Sequence, residues 1–252
     1  AVPRCSAEDE KPAFTILFTA EAHGALLPCN CPLEPLGGVA RRATLIKRYR
    51  ERGPVLLVDA GGWAAGGIYD EDSDGDPERD KLRTELMAKA MTLMDYDGVV
   101  WGETENQQLG LWFPKIEERG SLGGIEKVRV SGPMLAISNA GLDHSKIPII
   151  QSRPIGDKIH ENVGKEYDSY WSPGSIQSPA FLLWLSPKGE DAIENTPRDI
   201  LDLFNFIINA GRKSITRVAW TVGNTVIANF DFQAQRLGVA EVFPRKGWKA
   251  GD

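Results

Sequence analysis

Along the chain, short continuous apolar runs alternate with segments whose apolar positions recur at helical spacing. Residues 15–18 (TILF) read as a β-strand ending at the turn Glu21-Ala22-His23-Gly24. Residues 38–52 have helical periodicity. Ala40, Leu45, Ile46 and Tyr49 make the apolar side, and Arg41, Arg42, Lys47, Arg48 and Arg50 make a basic opposite face. Pro54 stops that helix. Residues 55–58 (VLLV) form an unbroken apolar strand, as expected where both sheet faces are covered. This strand ends at Asp59-Ala60-Gly61-Gly62, and an acidic loop follows over residues 70–80.

Residues 81–94 predict a second helix, with Leu82, Leu86, Ala90 and Leu93 among its apolar positions. Strands follow at residues 97–101, ending at Gly102, and at residues 134–138, ending before Asn139. This alternation implies an α/β fold around a largely parallel sheet. Ligand sites in such sheets lie beyond the C-terminal ends of the strands, which points to the loops at Glu21, Asp59, Glu103 and Asn139.

Residues 141–195 are Pro-, Gly- and Ser-rich, with short strands expected at 148–151 and 181–185. Thr196-Pro197-Arg198-Asp199 is a helix start, and a helix is predicted through Leu201, Phe204, Ile207 and Ile208 to Gly211. Residues 214–220 and 225–232 predict a hairpin turning at Gly223-Asn224. An N-terminal arm (1–12), one domain (13–244) and a polar tail (245–252) complete the organisation.

Composition narrows the function classes. The chain has 252 residues, 42% of them hydrophobic, with seven Trp and nine Phe, which is the composition of a globular protein with a sizeable core. Trp171, Trp184, Trp220 and Trp248 read as core or interface anchors. A formal net charge of −6 argues against a nucleic-acid binder or a binder of anionic membranes. No apolar run approaches the roughly 20 residues of a membrane span. The chain opens on Ala1, which suggests a mature protein after removal of a secretion signal, or a trimmed one. Of the three cysteines Cys5, Cys29 and Cys31, one is left over after any pairing. The pairing is either Cys5 with one of the other two or a local Cys29–Cys31 bridge.

Five segments, in order, carry a resemblance. Thr19-Ala20-Glu21-Ala22-His23-Gly24 resembles TNDxHG, and Gly37-Gly38-Val39-Ala40-Arg41-Arg42 resembles GG(L/V)ARR. Val58-Asp59-Ala60-Gly61-Gly62 resembles DAGD, and the ten residues from Tyr96 to Glu105 resemble YDAVxxGNHE. Residues 133–139 resemble PxLxxN. Together they resemble the calcineurin-like metallophosphoesterases, in the secreted 5′-nucleotidase branch. Pro28-Cys29-Asn30-Cys31-Pro32 is also similar to a PCGC insertion of some bacterial members. The resemblance implies an α/β layered sandwich of two mixed β-sheets flanked by helices. It also implies hydrolysis of a phosphate ester by two metals that generate a hydroxide.

Carried over residue by residue, the site is incomplete. Glu21 stands at a metal-binding Asp, and His23 matches a His. Gly62 stands at the Asp that bridges the two metals, and Asp59 is the strand-end Asp rather than the bridge. Glu103 replaces an Asn ligand, Thr104 replaces the catalytic His, and Glu105 matches an acid. Thr104 cannot act as an imidazolium acid. The remaining His144 and His160 lie in no GHxH pattern, so a dinuclear transition-metal centre is not expected. Glu21, His23 and Glu103 are the candidates for a single cation.

The acidic loop places Asp70, Asp72, Asp74 and Asp76 at alternate positions after the DxDxDG pattern of calcium loops, and calcium is a candidate ligand there. The alternative is a solvated acidic loop. Arg41 and Arg42, at a helix start, are candidates for meeting a phosphate.

The functional expectation is a catalytically degenerate, secreted (periplasmic or extracellular) binding or structural subunit. Its rival is a phosphoesterase or nucleotidase with a rebuilt mononuclear site. The PCGC-type resemblance suggests a secreted redox protein, such as a multihaem cytochrome, as the protein partner.

Overall fold

In the computed structural model the residues described are 12, 14–67, 69–100, 104–105, 107–108, 121–122, 125–126, 134–138, 180–186, 193–202, 204–210, 219–230 and 234–243. Cys5, Glu103, His144, His160, Trp171 and Trp248 lie outside them, as do the expected strand at 148–151 and most of both termini.

The first sheet has the order β11-β1-β2-β3 and is built from β1 (Phe14–Thr19), β2 (Val55–Asp59), β3 (Gly98–Val99) and β11 (Gly238–Val242). β1 and β2 are parallel, with Thr19 opposite Asp59, and β11 closes the other edge antiparallel. The second sheet has the order β6-β7-β8-β10-β9. Its strands are β6 (Met134–Ser138), β7 (Ala180–Ser186), β8 (Phe206–Asn209), β9 (Ala219–Val222) and β10 (Thr225–Asn229). β4 (Ser121–Leu122) and β5 (Ile125–Glu126) form a separate two-stranded ribbon. The helices named among the described residues are α1 (Val39–Arg50), α2 (Pro77–Leu93) and the short α3 (Arg198–Leu201).

Strand periodicity explains the layers. Ile16, Phe18, Leu56 and Val58 face Leu183, Leu185, Phe206 and Ile208 of the second sheet in the main core. The alternate positions Leu17, Val55 and Leu57 turn outward onto Ile46 of α1. On the far side, Trp184, Ile207 and Ile227 pack with Leu201 and Phe204. Phe18 ties the two sheets together by edge-to-face contacts with Phe206 and Phe230, at centroid separations of 5.7 and 5.6 Å. Gly238, opposite Phe18 on β11, leaves room for that ring, because a Cβ there would lie 2.2 Å from it.

Several expectations are corrected. The helix predicted through Ile207 to Gly211 ends at Leu201, and Phe206–Asn209 is β8. Its β-branched Ile207 and Ile208 are buried on opposite faces between β7 and β10. The Thr225 hydroxyl lies 2.7 and 2.8 Å from the carbonyl oxygens of Leu201 and Phe204, satisfying the short helix's end. In α1, Arg42 is buried rather than on the basic face, while Leu45 is 40% exposed. α2 starts four residues earlier than predicted, at Pro77. Asp76 caps it by accepting from the Glu78 N–H at 3.1 Å, and Pro77 occupies the first turn. Its buried side is Thr84, Met87, Ala88 and Met91, and Leu82, Leu86 and Leu93 face outward. Strand β11 was not predicted, although its alternating burial is that of an edge strand. The hairpin at Gly223-Asn224 forms between β9 and β10, and β10 ends at Asn229. Among the described residues no helix is long and apolar enough to cross a membrane.

Candidate functional site

β1 and β2 end side by side, and their loops continue to hydrogen-bond beyond the sheet. The N–H groups of Glu21, His23 and Gly24 donate to the carbonyls of Gly61, Gly62 and Trp63 at 2.8, 2.8 and 3.0 Å. This lacing holds Glu21 (φ 51°) and His23 (φ 44°) in the left-handed region. Each such residue costs on the order of 1 kcal/mol, and such conformations concentrate at functional sites. The twist turns both side chains inward. His23 Nε2 lies 2.8 Å from Glu21 Oε2, in ion-pair range without hydrogen-bond alignment, and both residues are buried.

Gly62 (φ 74°) lies directly beneath this pair. A Cβ at Gly62 would sit 2.8 Å from Glu21 Cδ and Oε1. The Glu21 carboxylate therefore fills the volume that a side chain at position 62 would need. Glu105 is fully buried and accepts from the N–H groups of Gly62 (3.2 Å) and Ala64 (3.0 Å), clasping the second loop from below. Thr104, beside it, is also buried.

Asp59, the last residue of β2, is fully buried. Its Oδ2 lies 2.6 Å from the Thr19 hydroxyl, which in turn lies 3.0 Å from the Tyr96 hydroxyl, and its Oδ1 accepts from Gly61 N–H at 2.9 Å. Burial pushes the Asp59 carboxyl up to about 7, against the lowering effect of the hydrogen bonds from Thr19 and Gly61. The Glu105 charge adds to the rise and Arg42 opposes it. Burial likewise raises the Tyr96 phenol. Arg42, expected as a phosphate contact, faces this inner network instead, and Arg41 donates to the Pro35 carbonyl.

The four carboxylates of the acidic loop do different things. Asp70 is buried and paired with Arg83, whose two terminal nitrogens reach its two oxygens at 2.9 Å each. Arg83 also donates to Asp80 Oδ1 and to the carbonyl of His23, both at 2.9 Å. Asp74 accepts from the Asp76 N–H and pairs with Arg79, and the first of these contacts leads in lowering its carboxyl. Asp76 is the α2 cap. Asp72 is exposed, with an oxygen 3.8 Å from Arg83. Calcium here would have to draw Asp70 away from Arg83. Among the described residues, no group of three or more His, Cys, Asp or Glu is arranged to hold a metal ion. Cys29 and Cys31 are joined to each other.

Sequence reasoning passed over Arg83, which ties the first strand-end loop to the acidic loop and α2. Its signal was the spacing from Asp80, three residues earlier on the same helix face. Arg83→Met is expected to lower stability by about 2–3 kcal/mol, because two largely buried carboxylates lose their cation. Urea unfolding measures this, and a loss below about 0.5 kcal/mol, the level of an ordinary surface change, would disprove the tie.

No protein-family model matches the sequence, and no curated protein matches it. Solved structures do. A protein from Staphylococcus aureus, described as a 5′-nucleotidase and solved in complex with alpha-ketoglutarate, is similar over 90% of this chain and 50% of its own, with a TM-score of 0.55 and 10% identity. The sulfate thiohydrolase SoxB of Thermus thermophilus, solved with glycerol, aligns over 92% of this chain and 57% of its own, with a TM-score of 0.47 and 12% identity. This chain thus spans about half the length of either protein. At such identities the likeness is one of fold. Two mixed sheets with flanking helices are the metallophosphoesterase-like α/β sandwich that the strand-end motifs implied.

Proposed function

We propose that this protein is a catalytically degenerate metallophosphoesterase-like protein, secreted to the periplasm or cell exterior, that serves as a binding or structural subunit of a larger assembly. The observation that carries the reading is the pairing of Gly62 with Glu21. Where the motif resemblance expects a carboxylate bridging two cations, there is no side chain, and the Glu21 carboxylate fills the space. The residues present do not fit a dinuclear centre. Glu105 is engaged with loop N–H groups, Asp59 with the Thr19 hydroxyl and the Gly61 N–H, and Thr104 offers no imidazole.

Secretion is supported by the Cys29–Cys31 disulfide, since such bonds persist in oxidising compartments. A secreted redox protein, such as a multihaem cytochrome, is the proposed partner on the PCGC-type resemblance, and haem absorbance co-purifying with the protein tests it.

The purified protein is expected to carry no stoichiometric Mn, Zn or Fe. It is also expected to hydrolyse neither a generic phosphodiester nor nucleotides above background with added Mn. A stoichiometric transition metal, with hydrolysis abolished by His23→Ala, would overturn the reading in favour of a mononuclear enzyme using Glu21, His23 and Glu103.

A further inference from the structure

The loop Leu27-Pro28-Cys29-Asn30-Cys31-Pro32-Leu33 reads the same in both directions and is exposed except at the half-buried Cys29. Its disulfide spans a sequence separation of 2. The stabilisation a cross-link gives grows with the logarithm of the chain length it closes, so a ring this small lies at the low end. It is not a staple between distant elements, and its surroundings differ sharply at the two sulfurs. Cys29 is half-buried at the base of a two-stranded arm made by the Pro28–Gly37 bridge. Its N–H donates to the Leu36 carbonyl at 2.8 Å, and the Leu36 N–H donates back to Cys29 Sγ at 3.1 Å. Cys31 is exposed and makes no comparable contact among those described. Cys29 also lines a cleft of about 390 Å3 together with Gly24, Arg79 and Arg83, whereas Cys31 stands outside it.

We propose that Cys29–Cys31 is a thiol–disulfide exchange site with a fixed direction of attack, whose substrate class is a thiol. An incoming thiolate reaches the exposed Cys31 Sγ. The new bond forms there, the Cys29–Cys31 bond breaks, and the electron pair leaves on Cys29 Sγ. The Leu36 N–H is already placed to stabilise that thiolate, and a better-stabilised leaving thiolate departs faster. A second thiol then attacks the substrate sulfur of the mixed disulfide and expels Cys31. Two thiols are oxidised to one disulfide, and their two electrons and two protons reside on Cys29 and Cys31. Leu27 and Leu33, 80% and 98% exposed, flank the reacting sulfurs and give an apolar-flanked thiol something to cover.

The test uses the full chain and is independent of whether the strand-end site binds metal. Peptide mapping without reductant is expected to return Cys29 paired with Cys31. Limiting glutathione, quenched with acid and N-ethylmaleimide, is expected to leave glutathione on Cys31 and maleimide on Cys29, with a preference of at least about fivefold. Reduction by dithiothreitol is expected to run at least about tenfold faster than that of glutathione disulfide under the same conditions. Reduced thioredoxin, compared with glutathione at equal thiol concentration, distinguishes a protein thiol from a small-molecule one, and faster reaction with either supports the site. A Cys5–Cys29 or Cys5–Cys31 pairing, glutathione on Cys29 in equal or greater amount, or reduction no faster than that of glutathione disulfide would each overturn the proposal.

Discussion

Gly62→Asp, which restores a carboxylate to the position where the motif resemblance expects one, should destabilise the protein by about 4 kcal/mol, a loss confined to a few mechanisms. Three of them act together here. The φ of 74° at position 62 is poorly suited to a side chain. The new Cβ meets Glu21 Cδ and Oε1 at 2.8 Å, so either Glu21 leaves His23 or the backbone moves. The added carboxylate also arrives between two buried acids, Glu21 and Glu105, and so adds like charge to a site withdrawn from water. Glu21→Ala in the same chain empties the contested volume, so the double variant should recover at least about 1 kcal/mol relative to the sum of the single changes. Urea titration of the four proteins gives this coupling. If Gly62→Asp costs less than about 1 kcal/mol, a typical point-mutant loss, the space over Gly62 is open and Glu21 has not replaced the bridging side chain.

That expectation turns on a relation between residues 41 positions apart, and the sequence by itself shows only half of it. Gly62 lacks a ligand atom wherever it sits, so the loss of a bridging group is readable from the motif. That the longer Glu21 leans into the vacated volume is not readable, because it depends on two left-handed residues in the first loop and on the backbone ladder that holds them. The strands that border the site were legible for a simpler reason. TILF and VLLV are continuous apolar runs, and burial on both faces produces such runs whatever the surroundings.

Helix faces were harder to read. In α2 the most hydrophobic spacing, Leu82, Leu86 and Leu93, points outward, and the core takes Thr84, Met87, Ala88 and Met91. The rotation brings Arg83 to the strand ends, where it meets Asp70, Asp80 and the His23 carbonyl. A polar tie of this kind outweighs leucine count and leaves no mark in periodicity. The spacing at Ile207 and Ile208 suits either a helix end or a strand. Pairing with β7 and β10 decides between them, and that pairing is nonlocal.

Asp59 provides the second large effect, on the pH dependence of stability. The folded carboxyl is raised from 3.8 to about 7, chiefly by burial, so it binds its proton more tightly in the folded chain than in the unfolded one. Between those two values the folded state holds a proton that the unfolded state has released, and stability falls as pH rises. The slope approaches about 1.4 kcal/mol per pH unit, and the summed loss by pH 8 approaches about 4 kcal/mol as an upper figure. In the protonated state the network closes without strain. Asp59 Oδ2–H donates to the Thr19 hydroxyl, Thr19 donates to Tyr96, and Gly61 N–H still donates to Oδ1. An asparagine reproduces that arrangement, with its amide N–H in place of the carboxyl O–H. Asp59→Asn should therefore match the parent near pH 4 and exceed its stability at pH 8, with the difference growing through the window between. The charges facing this position, Arg42 favouring the anion and Glu105 opposing it, remain in both proteins, so the difference isolates the one carboxyl. Parallel denaturant titrations from pH 4 to pH 8 give the result. Curves that stay parallel across that range would mean that Asp59 is ionised in the folded protein at every pH measured. A variant that loses stability as pH rises relative to the parent would mean that the Arg42 cation, rather than burial, governs the site.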